Sequence, residues 1–179
     1  MYSKIFSKKD IFYLFTLGLF LNFLITLFTR VLSLPENFFS NYAIYIQNIS
    51  NHKFYFIFSS TILAPLLEEI ICRKFLFNVM RKINLNFAII FSSLIFGILH
   101  KELILIMYAT LMGIILCSVY IKYNNIISPI ILHLSFNLGA VFFLFFDNNL
   151  ESTLDNKFYT LLLIFIILIF TFKILKKIF

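Results

Sequence analysis

The sequence predicts an all-α fold: a polytopic membrane bundle of about six transmembrane helices with both termini cytoplasmic. Three observations carry that prediction. The 179 residues are 61% apolar and only 13% charged, whereas a soluble domain runs near half apolar and a quarter charged. A chain of this size cannot hide so much apolar surface in one core, so lipid must be the solvent. Apolar runs of roughly membrane-spanning length recur along the chain, and Lys and Arg gather at the ends of those runs.

The first span covers residues 11–29, with Lys4, Lys8 and Lys9 before it and Arg30 after it. At ~1.5 Å per residue it can cross a hydrocarbon layer of ~30 Å. Residues 31–53 carry Pro35 and many Asn and Ser, which reads as a loop in which residues 38–49 could lie along the interface as an amphipathic helix. The second span starts near Phe54, stays apolar to Leu67, meets Glu68 and Glu69, and continues as a basic helix through Arg73, Lys74, Arg81 and Lys82. The third is residues 85–99, closed by His100, Lys101 and Glu102, and the fourth is residues 103–121, closed by Lys122, Asn124 and Asn125. The fifth covers residues 126–146. An acidic loop with Asp147, Glu151 and Asp155 follows, then a sixth span over residues 158–172 that ends in Lys173, Lys176 and Lys177. No internal repeat divides the chain, so residues 1–179 read as a single membrane domain.

Charge sets the orientation. Six spans place Lys4, Lys8, Lys9, Arg73, Lys74, Arg81, Lys82, Lys122, Lys173, Lys176 and Lys177 on one side, eleven in all, against Arg30, Lys53, Lys101 and Lys157 on the other. The basic excess marks the cytoplasmic face. The net charge of +7 therefore reads as topology, and no nucleic-acid partner is expected, because no basic stripe carries base-stacking aromatics. Cys72 and Cys117 have no CxxC spacing and read as small apolar fillers. The Phe, Ile, Asn and Lys bias points to an AT-rich bacterial genome and hence to a plasma membrane.

Chemistry is concentrated in three helices. Of the eight carboxylates, only Glu68 and Glu69 interrupt a helix at membrane depth, where a charge costs ~2.5–3.5 kcal/mol on insertion scales. Arg73 lies at i+4 from Glu69 and can neutralise it. Glu68 is rotated by ~100° to another face and stays available. His52 belongs to the outer loop as a solvated side chain. His100 ends the third span four residues after Phe96, while His133 lies inside the fifth with Asn137 at i+4 on the same stripe. Stripes facing one another would assemble a Glu/His/His/Asn site in an apolar shell.

Such a set suits water activation, with a carboxylate as general base and His and Asn side chains holding the nucleophile and the developing oxyanion. The alternative is zinc held by Glu68, His100 and His133 with an open position. The HExxH spacing that would place two histidines and the base on one helix is absent.

In order, the elements are EExxxR (Glu68, Glu69, Arg73), FxxxH (Phe96, His100) and HxxxN (His133, Asn137). This ordered trio resembles the CPBP family, the CAAX protease and bacteriocin-processing proteins also called Abi, over about residues 63–139 within a family-like core of about residues 54–146. The resemblance implies an intramembrane endopeptidase, often classed as a metalloprotease, that cleaves a membrane-associated peptide or protein. It makes Glu68 the water-activating base, Glu69 and Arg73 its support, and His100, His133 and Asn137 the rest of the site. Phe96 reads as packing that shields the site. Family members commonly carry two glycines four apart in the span between the second and third motifs. Here Gly113 is followed by Cys117, a small-for-small change that keeps close helix packing. A non-catalytic bacteriocin self-immunity or scaffold protein of the same fold is the rival expectation. A proton-coupled transporter is a third, which the lack of internal halves argues against.

Overall fold

A computed structural model of the chain describes residues 6–32, 53–154 and 156–179. Among these residues the protein is helical throughout and has no strand. Helix α1 is Lys8–Val31, α2 is Phe54–Met80, α3 is Leu85–Ile98, α4 is Leu103–Tyr123, α5 is Ile127–Leu154 and α6 is Lys157–Ile178. Helices α1, α2, α4 and α6 are long and apolar enough to cross a membrane. Helix α3 is the shortest, with 14 residues. A helix of that length rises only ~21 Å, less than a full hydrocarbon layer. Six apolar helices in the predicted order make this a polytopic membrane bundle.

Local chemistry explains the helix ends. Ser7 and Asp10 form a capping box at α1, with the Ser7 N–H donating to Asp10 Oδ2 at 3.0 Å and the Asp10 N–H donating to Ser7 Oγ at 3.4 Å. Asn84 and Asn156 cap α3 and α6 by accepting the N–H groups of Phe87 and Phe158. Lys101 and Asn124 stand at φ 65° and 46°, the left-handed conformation that stops a helix.

The acidic loop predicted at residues 147–157 is not a loop over most of its length, because α5 stays helical through Leu154. Asp147, Glu151 and their neighbours end the apolar run but include no Gly or Pro, so nothing forces the backbone out of the helix where it leaves the apolar run. The expected interfacial helix at residues 38–49 and His52 lie outside the described residues.

The helices group into two compact units. Within residues 35–130, α2, α3 and α4 pack together, and the beginning of α5 follows. A Cβ at Gly113 would come within 2.9 Å of Ser93 Cβ, so α3 and α4 approach almost to backbone contact there. Ser92 Oγ lies 3.3 Å from Cys117 Sγ in the same seam, as the small residue at position 117 predicts. Phe77, Ala88, Cys117 and Tyr120 form a buried cluster, and Asn78 Nδ2 donates to the Tyr120 hydroxyl at 2.9 Å. These contacts run antiparallel between α3 and α4 and parallel between α2 and α4, as alternating membrane crossings require.

The second unit joins residues 7–34 to residues 131–179. Gly18 of α1 faces Leu132, Ser135 and Phe136 of α5, and further along Asn22 faces Gly139, so these two helices run parallel, as first and fifth crossings do. Phe23 meets the Phe143 ring edge-on at 5.0 Å. Helix α6 packs on α1, with Phe20 and Phe170 in contact at 6.4 Å and Thr160 and Thr171 buried. Most of its Phe, Leu and Ile side chains are exposed, which is what a lipid-facing helix presents.

Candidate active site

The EExxxR motif lies where α2 departs from regular geometry. The α-helical segment Ala64–Glu69, with Pro65 in its first turn, is flanked by π-helical segments Ser59–Leu63 and Ile70–Phe77. Such i→i+5 insertions are rare and frequent at functional sites. Glu69 and Arg73 are both 0% exposed, and Arg73 Nε stands 3.2 Å from Glu69 Oε2. The N–H is not aligned as a hydrogen bond, so the contact is an ion pair held by charge. Two opposite charges in contact in a dry interior each remove the need to solvate the other.

Arg73 has two further partners. Its Nη2 donates to the Gly113 carbonyl of α4 at 3.2 Å, and its guanidinium carbon lies 4.6 Å from the centre of the Phe96 ring on α3. The arginine thereby ties all three helices of its unit together. Phe96 is 1% exposed and meets the His100 ring edge-to-face at 5.1 Å. His100 stands in the turn after α3, and its Nδ1 lies 3.0 Å from the Phe96 carbonyl oxygen. A carbonyl oxygen only accepts, so in this contact Nδ1 carries the proton and Nε2 is the ring's acceptor. Glu69, Arg73, Phe96 and His100 are thus one connected string of contacts. Glu68, the next residue round the helix, is half-buried, as is His100.

In the other unit, His133 is 3% exposed and Asn137 half-buried, one turn apart on α5. The face of α5 turned to α1 carries Leu132, Ser135 and Gly139. The His133 and Asn137 stripe lies roughly 100–140° round from it.

Among the described residues no group of three or more His, Cys, Asp and Glu side chains could hold a metal ion. Of the residues expected to hold a zinc, Glu68 and His100 belong to one unit and His133 to the other. Cys72 and Cys117 are free and buried.

Three features escape a sequence reading. The Gly113 carbonyl is an Arg73 partner that only helix approach reveals, although the small residues Ser92, Ser93 and Cys117 signal that approach. Phe96 touches two motif residues instead of merely shielding them. Asn22, 5% exposed within α1 and with no hydrogen-bond partner for Oδ1, is a buried carboxamide whose signal was a lone Asn inside an apolar run.

Comparison with known proteins gives two matches. The sequence matches the family described as type II CAAX prenyl endopeptidase Rce1-like over residues 50–139, half of the chain. It is also 41% identical over 83 residues to the protein named "Putative membrane peptidase YdiL" of Bacillus subtilis (strain 168), which covers 46% of this chain and 34% of that relative. The chain thus aligns with about a third of that relative's length. No solved structure matches.

Proposed function

Because the chain belongs to the Rce1-like type II CAAX prenyl endopeptidase family, we propose that it is an intramembrane endopeptidase that hydrolyses a peptide bond of a membrane-associated protein or peptide. The observation that supports this best is the division of roles between two adjacent glutamates. Glu69 is buried against Arg73, while Glu68, one residue away, is half-buried, and in the proposed mechanism Glu68 is the glutamate that meets water.

In this mechanism Glu68 takes a proton from a water molecule as the water oxygen attacks the scissile carbonyl carbon. His100, with its proton held on Nδ1 by the Phe96 carbonyl, accepts a hydrogen bond from the other water O–H at Nε2 and orients the nucleophile. His133 and Asn137 donate to the carbonyl oxygen as it gains negative charge. The tetrahedral intermediate then collapses, the C–N bond breaks, and the proton on Glu68 passes to the leaving nitrogen. One water is consumed, and an amine and a carboxylic acid are released, the acid carrying the second water hydrogen until it ionises in solvent. The mechanism requires α5 to bring His133 and Asn137 to the same substrate bond.

Comparing new peptide termini in membranes of cells with and without the protein tests the proposal. Protein-dependent cleavage of at least one membrane-associated substrate is expected. Identical termini in both membranes would remove the endopeptidase and favour a scaffold or immunity role for the fold.

A further inference from the structure

We infer that Phe96 is a positioning residue, whose ring couples the Glu69–Arg73 pair to His100 and holds both in working geometry. This inference rests on the endopeptidase mechanism for its kinetic consequence, but its structural content stands apart from it. Three contacts converge on this one side chain and its backbone. The guanidinium lies 4.6 Å over the ring centre, the His100 ring meets it at 5.1 Å with an interplanar angle of 64°, and the Phe96 carbonyl takes the His100 Nδ1 proton at 3.0 Å. The ring is 1% exposed, so no water competes for either face.

The physics of each contact depends on the ring being aromatic. The negative π face attracts the arginine cation, and this attraction strengthens when water is excluded. The T-shaped contact with the imidazole has a preferred geometry that an aliphatic side chain cannot impose. An aliphatic residue of similar volume therefore fills the space but loses both orienting forces. The four-residue spacing from Phe96 to His100 brings the backbone carbonyl within reach of the imidazole Nδ1. Phe96 needs no contact with substrate for this role.

The test compares Phe96→Leu, which loses the ring, with Phe96→Tyr, which keeps it. Two quantities are read in the purified full chain in lipid nanodiscs: cleavage kinetics on a membrane peptide, and the NMR signal of 13C,15N-histidine-labelled His100, assigned with His100→Gln. Phe96→Leu is expected to lower kcat at least tenfold with KM within about twofold, and to shift or broaden the His100 signal while that of His133 stays put. Phe96→Tyr is expected to keep the wild-type His100 signal and to recover most of the rate. A wild-type His100 signal in Phe96→Leu would overturn the inference, as would equal losses of kcat in both variants. If the unaltered protein cleaves no peptide, the endopeptidase proposal fails, and the His100 signal alone still decides the role of Phe96. Should Phe96→Leu not accumulate, Phe96→Met takes its place with the same two measurements.

Discussion

Arg73 and Glu69 face each other at 3.2 Å with no solvent exposure on either side chain, and Arg73 spends a second nitrogen on the Gly113 carbonyl. Removing either charge takes the contacting counter-charge away from the other in a buried site, at a cost of ~3–5 kcal/mol. Arg73→Ala should therefore lower the unfolding midpoint in detergent sharply. Arg73→Lys should recover only part of the loss, because a single ammonium cannot serve Glu69, Gly113 and the Phe96 face in the planar geometry of a guanidinium. Equal stability of Arg73→Ala and the unaltered protein would show that the pair contributes nothing to the fold.

The α3–α4 seam has no room at Gly113. A methyl group there would press on Ser93 at 2.9 Å, and overpacking of this kind costs ~1–3 kcal/mol. Gly113→Ala should destabilise by that amount, and Ser93→Gly in the same chain should restore part of it, since the two positions are in contact. Thermal unfolding of the three variants closes the cycle. Strict additivity would contradict the close approach.

Lys101 holds φ 65° in the turn that carries His100. Gly at this position adopts that conformation without strain, whereas a β-branched side chain does not. Lys101→Gly should be neutral or stabilising by up to ~1 kcal/mol, while Lys101→Val should destabilise and disturb His100. Chemical denaturation and histidine NMR on the two variants read this directly.

Much of the architecture was legible because apolar run length and charged ends are strong signals in lipid. The α1, α4 and α6 spans were recognisable from Lys8, Lys9, Arg30, Lys122 and the terminal lysines, and the Glu69–Arg73 pair follows from i+4 spacing alone. The end of α5 was not legible, because Asp147 and Glu151 mark where the chain leaves the apolar run and say nothing about where the helix stops. The π-helical segments around Glu68 and Glu69 were also hidden, since no residue type in Ser59–Leu63 or Ile70–Phe77 announces them. The Arg73–Phe96 contact depends on how closely α2 and α3 approach, which spacing within either helix does not encode.

Glu68→Gln keeps the size and polarity of the side chain but removes its capacity to take a proton. The decisive measurement is cleavage of a membrane peptide by this variant and by the unaltered protein, both purified into proteoliposomes, with unfolding curves recorded in parallel. Loss of at least a hundredfold in rate with an unchanged midpoint is the predicted result, in the range that general-base catalysis contributes. Cleavage by Glu68→Gln at the unaltered rate would contradict the central role given to this glutamate.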